Sequence, residues 1–309
     1  INTPPKERQP INTILAEYSE ANGTLEVSND GTISAEATVN ATGRTNVPDY
    51  GGATATGVFQ EVTDDASDAS LSVTNAGTIS AKAVNNGYST SGYAQASATA
   101  HGIYQDGDAD GTNLLDVYNE GTVTATATAD AQAATNAYAY ADATGAGQYA
   151  YGDEASVTLT NNGEISATAV ATGDPSQQAY AHADALGVGQ DADGEGTDTA
   201  DLYNDGSITA SAAAVATGGG EAVAYGHATG IDQYVSGGVG TQLVSNDGVI
   251  DAHARATAYG TGVTGNAFAS AGGDGVYQYN GSDAATIELA NSSSISVTAD
   301  ANAFGVTDA

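Results

Sequence analysis

An Asn-x-Gly turn signature returns along this chain at a nearly fixed interval: Asn29-x-Gly31, Asn75-x-Gly77, Asn119-x-Gly121, Asn161-x-Gly163, Asn204-x-Gly206, Asn246-x-Gly248 and a degraded Asn291-x-Ser293. The asparagines lie 46, 44, 42, 43, 42 and 45 residues apart. A second marker, Gly-x-x-Gln, keeps the same beat at Gly57 to Gln60, Gly102 to Gln105, Gly145 to Gln148, Gly187 to Gln190, Gly230 to Gln233 and Gly275 to Gln278. Two markers locked in phase over most of a chain define an array of stacked units, since a unit of this size cannot bury its apolar face alone.

The pattern inside one repeat is that of a strand. Two residues before each repeat asparagine stands Val27, Val73, Val117, Leu159, Leu202, Val244 or Leu289, and four after it Ile33, Ile79, Val123, Ile165, Ile208, Ile250 or Ile295. Small residues then alternate with polar ones, as in Ala125 and Ala127 between Thr124, Thr126 and Thr128. A further alternating run precedes Gly-x-x-Gln, with Ala137, Ala139, Ala141 and Ala143 against Tyr138, Tyr140 and Asp142. Alanine favours helix by intrinsic propensity, yet period-two alternation among dense Thr, Ser, Gly and Asn overrides it. The alanines share parity with the Ile and Val positions, which assigns them to a thin, methyl-lined interior.

Each repeat therefore reads as strand, Asn corner, strand, loop, strand, Gly-x-x-Gln, loop, with one coil per repeat so that identical positions stack. The Asn-x-Gly pair is expected to tolerate left-handed backbone at the corner. The stacked asparagines Asn29, Asn75, Asn119, Asn161, Asn204, Asn246 and Asn291 are expected to form an amide ladder. The fold class that follows is all-β: a right-handed parallel β-helix, or β-solenoid, of about 6.5 repeats of 42–46 residues. Residues 1–24, with Pro4, Pro5 and Pro10 beside Lys6 and Arg8, read as an N-terminal arm or cap, and 25–309 as a single solenoid domain with repeats starting near 25, 71, 115, 157, 200, 242 and 287.

Charge narrows the partners. A net charge of −33, from 38 acidic and 5 basic residues, makes association with nucleic acid or an anionic membrane surface electrostatically uphill. With no cysteine there is neither a disulfide framework nor a thiolate metal site. The sequence starts at Ile1 and has no methionine, which suits a processed, secreted chain or a fragment of something longer. No apolar run approaches the roughly 18 residues of a membrane helix.

The Val-x-Asn-x-Gly-x-Ile-x-Ala-x-Ala repeat of Val27 to Ala37 and Val73 to Ala83, followed by an alanine-rich strand into Gly102 to Gln105, resembles the β-strand repeats of secreted bacterial autotransporter passengers and haemagglutinin-type adhesins. The resemblance covers 25–309. It implies a right-handed β-helix and an extracellular or cell-surface place, and says little of activity, since such passengers serve as adhesins, stalks and occasionally enzymes.

Three surface features are candidates for function. Asp106, Asp108, Asp110, Asn113 and Asp116 share their spacing with Asp191, Asp193, Glu195, Asp198 and Asp201, and each set follows a marker glutamine directly. Alternating carboxylates around a glycine are expected to converge on Ca²⁺. The twelfth-position glutamate of an EF-hand is missing, and solvated acidic loops are the plain alternative. Tyr138, Tyr140, Tyr180, His182 and Tyr225 form an exposed aromatic stripe that either stacks on sugar rings or a neighbouring filament, or only braces the sheet. Outward Thr and Ser rows, clearest at Thr122, Thr124, Thr126 and Thr128, resemble ice-binding arrays, but Lys82, Glu36, His253 and Arg255 interrupt them, and a solvated face is the simpler reading.

Catalysis has no constellation behind it. His101, His182, His227 and His253 lie in strand patterns without a nucleophile or metal spacing, and no carboxylate pair stands out. The expectation is a non-enzymatic extracellular structural protein: a subunit of a surface filament, sheath or matrix, joined head to tail with copies of itself. The alternative is an adhesin passenger binding a glycan or surface through its Tyr and Thr faces.

Overall fold

A computed structural model describes residues 11–19, 23–44, 46–47, 52–63, 66–262 and 265–305. All regular structure among them is β-strand, arranged as three parallel sheets of seven strands each. The chain lays down one strand of each sheet in turn. The first coil comprises Ile11–Ser19, Gly23–Asn29 and Thr32–Gly43; a middle one Asn136–Gly152, Glu154–Asn161 and Glu164–Pro175; the last Asn266–Asn280, Ala284–Asn291 and Ser294–Phe304. We call the three sheets first, second and third in that order.

Each coil is one repeat. Asn161 pairs with Asn119 on one side and Asn204 on the other, and Gln148 with Gln105 and Gln190, so every residue meets its own counterpart one coil away. The expected arm at 1–24 gives way from Ile11 onward to a strand of the first sheet, Ile11–Ser19, paired in parallel with Ala53–Val62. The reason it escapes the repeat pattern is visible in the register: Glu17 stands opposite Gln60, so this coil lacks the marker glutamine. Residues 1–10, including Pro4, Pro5, Lys6, Arg8 and Pro10, lie outside the described residues.

The alanines face inward as their parity demands. Ala137, Ala139, Ala141 and Ala143 of the first sheet and Ala167, Ala169 and Ala171 of the third belong to one fully buried cluster that continues through the coils. An alanine methyl contributes only about 0.8 kcal/mol of burial, against about 1.5–3 kcal/mol for Val, Leu or Ile. The larger side chains are accordingly concentrated in a second compartment at the Asn corner, where Leu159, Ile165 and Ala146 meet their counterparts from neighbouring coils.

The strand Asn136–Gly152 is two half-strands in sequence. Its inward residues are odd-numbered up to Ala143 and even-numbered from Ala146, so the alternation changes phase at Thr144–Gly145. A β-carbon on Gly145 would lie 2.6 Å from Ile165 Cγ2 and 2.5 Å from the carbonyl oxygen of Gly187. The same two contacts recur at Gly102, Gly187 and Gly230, which explains why the marker glycine and the Ile or Val four residues past each asparagine occur together.

The glycine of Asn-x-Gly has a different role from the one expected. Among the described residues only Gly152 and Gly237 have positive φ, so the Asn corner is not left-handed. A β-carbon on Gly163 would instead lie 2.0 Å from the carbonyl oxygen of Gly121 directly beneath it, and the same distance recurs at Gly77, Gly121, Gly206 and Gly248. The corner needs glycine because coils approach there backbone to backbone. That approach keeps the inter-coil bonds unbroken through the turn, with Asn162 N–H donating to Asn119 O at 2.7 Å and Glu164 N–H to Gly121 O at 2.9 Å.

Candidate functional site

Two amide columns run along the solenoid, the asparagine column from the first described coil to the last and the glutamine column from the second coil onward. In the asparagine column each Nδ2 donates to the Oδ1 of the next coil: Asn29 to Asn75, Asn75 to Asn119, Asn119 to Asn161, Asn161 to Asn204, Asn204 to Asn246 and Asn246 to Asn291, all at 2.7–2.8 Å. The second column was not foreseen from sequence, although its marker was. Gln105 Nε2 donates to Gln60 Oε1, Gln148 to Gln105, Gln190 to Gln148, Gln233 to Gln190 and Gln278 to Gln233, at 2.8–3.0 Å. Its donors point toward the N-terminal end, and those of the asparagine column toward the C-terminal end. Each glutamine also ties the first sheet to the second, as Gln148 Nε2 does by donating to Thr158 O at 3.0 Å.

At the last described coil both columns meet open space. Asn291 Nδ2 donates only to Ser293 O of its own turn, at 3.2 Å. The inward apolar row opens there as well: Val244 is fully buried, whereas Leu289 one coil on is 48% exposed, with Ile287 at 51% and Val297 at 45%.

The outer face of the first sheet carries the aromatic stripe. Tyr140 and Tyr180 have ring centroids 5.4 Å apart, Tyr180 and Tyr225 5.7 Å, and Tyr225 and Phe268 5.5 Å, all tilted. His182 lies 6.5 Å from Tyr140 and 6.1 Å from Tyr225. Tyr138 shares this face but is half-buried, while Tyr140 is exposed. Tyr140, His182, Asp142 and Asp184 line a shallow depression open to solvent.

A second aromatic group, absent from the sequence expectation, stands beyond the glycine bend. Phe59 stacks on Tyr104 at 5.4 Å and Tyr104 meets Tyr149 at 5.2 Å. Tyr149 folds back over Gly147, whose missing β-carbon would lie 3.2 Å from the Tyr149 hydroxyl. The available signal was a tyrosine one residue past a marker glutamine beside glycines that leave room for its ring. Burial, with the charges of Asp142, Asp191, Asp106 and Asp232, pushes the Tyr149 hydroxyl up to about 12. Burial also lowers the pKa of His101; its ring meets Tyr104 edge-on at 5.5 Å.

The expected calcium ligands are not drawn to one point. Asp106 and Asp108 lie on the outer face of the first sheet, Asp110 is exposed in the turn, Asn113 points inward and is fully buried, and Asp116 faces out from the second sheet. In the other set Asp191, Asp193, Glu195 and Asp201 face outward, while Asp198 is fully buried. Among the described residues no three acidic or histidine side chains are grouped to hold a metal ion. The cause is the corner after the first sheet, which sends alternate residues to opposite sides of the wall.

Burial raises the Asp191 carboxyl to about 6, with Asp193 and Asp232 adding to the rise and the Tyr151 hydroxyl, 3.3 Å away, opposing it. A carboxyl whose pKa is raised on folding holds its proton more tightly in the folded chain, so its stabilisation is lost as pH rises from 3.8 through about 6. Asp201 and Asp232 are shifted the same way by burial. The melting midpoint should therefore climb as pH is lowered from neutrality toward 6 and below. Asp191→Asn should raise the neutral-pH stability by on the order of 1 kcal/mol, after allowance for solvent screening, and flatten the pH profile. A midpoint that falls on mild acidification would contradict this sign.

Comparison of the chain with protein-family models, curated proteins and solved structures found no match to any of the three.

Proposed function

We propose that this chain is an extracellular structural protein, a β-solenoid subunit joined end to end with copies of itself into a surface filament, sheath or matrix. The observation that carries this reading is the residue-for-residue register that runs through every described coil, which a coil of a second copy can continue by the same main-chain pairing. On the coil Asn266–Phe304 that pairing would cover Leu289, Ile287 and Val297, each about half exposed at positions that are buried in the coils before it. The amide columns favour one polarity, since an asparagine column that donates in one direction and a glutamine column that donates in the other both continue only if the next solenoid stacks in the same orientation. Right-handed winding and kinship with autotransporter passengers or haemagglutinin-type adhesins belong to the same proposal and rest on the repeat pattern.

Concentrated protein should form uniform fibres of solenoid width by electron microscopy. Leu289→Lys should abolish them while leaving the circular dichroism and melting of the subunit within about 0.5 kcal/mol, because the side chain is already half in solvent. Monomers at high concentration in the unmutated protein would refute the assembly.

An adhesin reading is the second, favoured by the outward row of Tyr140, Tyr180, Tyr225 and Phe268, of which Tyr140 and Phe268 are exposed and Tyr140 lines a shallow depression, a surface suited to stacking on sugar rings. Binding on a glycan array that disappears in Tyr140→Ala/Tyr180→Ala would select it.

A further inference from the structure

The aromatic stripe on the first sheet does not run the whole solenoid; toward the N-terminal end it breaks off at Tyr140. The ring neighbours of Tyr140 are Tyr180 and His182, both one coil further on. On the coil before it the register partner is Ser97, with Gln95 opposite Tyr138 and Thr99 opposite Asp142. One coil earlier still stands Gly52, where a β-carbon would lie 3.1 Å from Ser97 O. The stripe therefore ends in a step: the Tyr140 ring is the riser, and small residues on two coils, about 10 Å along the solenoid, are the tread.

This step is the shallow depression beside Tyr140, and its lining is polar. Gln95 offers an amide, Ser97 and Thr99 hydroxyl groups, and Asp142 and Asp184 carboxylates. Asp142 and Asp184 are register partners on adjacent strands, so two like charges stand side by side on the outer face. Burial and the Asp184 charge raise the Asp142 carboxyl, and His182 opposes the rise. None of the seven strands of the first sheet carries a lysine or arginine to balance the pair.

We infer, resting on the adhesin reading, that this step is a subsite for a cationic amino sugar, a hexosamine with a free amine as in a de-N-acetylated polysaccharide. A pyranose presents a face of C–H groups, which suits the side of the Tyr140 ring that no other ring covers, and hydroxyls that Gln95, Ser97 and Thr99 can meet. Its protonated amine brings positive charge and hydrogen-bond donors to Asp142 and Asp184 together. A proton on Asp142 relieves the repulsion between the pair and nothing more; the amino sugar relieves it and covers the ring as well. The same carboxylates, on a chain of net charge −33, turn away uronic and sialic acids. Both lie on the solvent side of the sheet, so the pair is open to a ligand arriving from solution.

The test is calorimetric titration of the whole chain just below neutral pH, where the sugar's amine is protonated, with a β-1,4-glucosamine tetramer, its N-acetylated form and a galacturonate tetramer. The glucosamine tetramer should bind about tenfold more tightly than the N-acetylated one, a preference that fades at high salt, and the galacturonate should not bind. Asp142→Asn/Asp184→Asn should bring the glucosamine tetramer down to the affinity of its N-acetylated form, and Tyr140→Ala should weaken both alike. Should a variant not fold, the three probes on the unmutated chain still decide. Equal binding of the glucosamine and N-acetylated tetramers, or binding of the galacturonate, overturns the subsite and leaves the adhesin reading standing. Oligolysine of equal charge that binds as tightly as the glucosamine tetramer overturns the sugar assignment, since charge alone would then suffice. No binding by any of the three sugars overturns the subsite, and the adhesin reading falls with it only if the glycan array is blank too.

Discussion

Gly163→Ala should destabilise the protein by more than about 3 kcal/mol, and Gly31→Ala, the same change in the same motif, by less than about 0.5 kcal/mol. At Gly163 the new methyl group would stand 2.0 Å from the carbonyl oxygen of Gly121, and that neighbour is backbone already held by Glu164 N–H. Neither partner can retreat without breaking bonds between coils. At Gly31 nothing lies within 4 Å, because no described coil runs beneath it. If the motif served left-handed backbone, both substitutions would be costly alike. Urea denaturation of the two variants decides the matter, and equal losses would refute the close-approach explanation.

The second large effect belongs to the amide columns. Asn161→Ala should cost about 3–4 kcal/mol, since it deletes its own buried bonds and leaves the Nδ2 of Asn119 and the Oδ1 of Asn204 without their column partners. Gln148→Ala should behave in the same way, orphaning Gln105 Oε1 and Gln190 Nε2. Asn291→Ala, at the open end of its column, should cost less than half as much, because it has one column neighbour and its amide is already exposed. A flat profile along the column would mean that the amides merely occupy space. The comparison matters because an alanine interior alone offers little burial per residue, so the columns and the backbone ladders must supply what a larger apolar core would.

Much of this architecture is legible in the sequence because a solenoid repeats its errors as faithfully as its rules. Ala137, Ala139, Ala141 and Ala143 alternate in one coil, and the same parity recurring in each neighbour makes the inward face unmistakable. The asparagine column follows from stacking a polar residue on itself every coil. What escaped was whatever depends on three-dimensional approach. Gly163 looks like a turn glycine until the coil beneath it is in place, and Gln148 looks like a marker until its side chain turns inward at the phase change beside Gly145. The coil containing Ile11–Ser19 was hidden by Glu17 in the glutamine position.

The acidic loops show a different limit. Their spacing suggested a cluster of ligands, but spacing does not reveal which side of a wall each residue faces once a strand turns a corner. Asp106 and Asp116 end on the outside of separate sheets, and only Asn113 and Asp198 point inward. Parity puts the aromatic stripe on the outer face, whereas the folding of Tyr149 over Gly147 depends on the missing side chain beneath its ring.

The stacking of one repeat per coil, on which every column and every close approach depends, is open to direct chemical test because the chain has no cysteine of its own. Thr168 and Ser211 are register partners on the outer face of the third sheet, on adjacent coils and 43 residues apart in sequence. Neighbouring strands lie about 4.8 Å apart, within the span that a disulfide bridges. Thr168→Cys/Ser211→Cys should close to an intramolecular disulfide under mild oxidation of the folded protein, and Thr168→Cys/Ala213→Cys, offset by two residues along the strand, should not. A first pair that stays reduced while the offset pair closes would contradict the stacked-coil account.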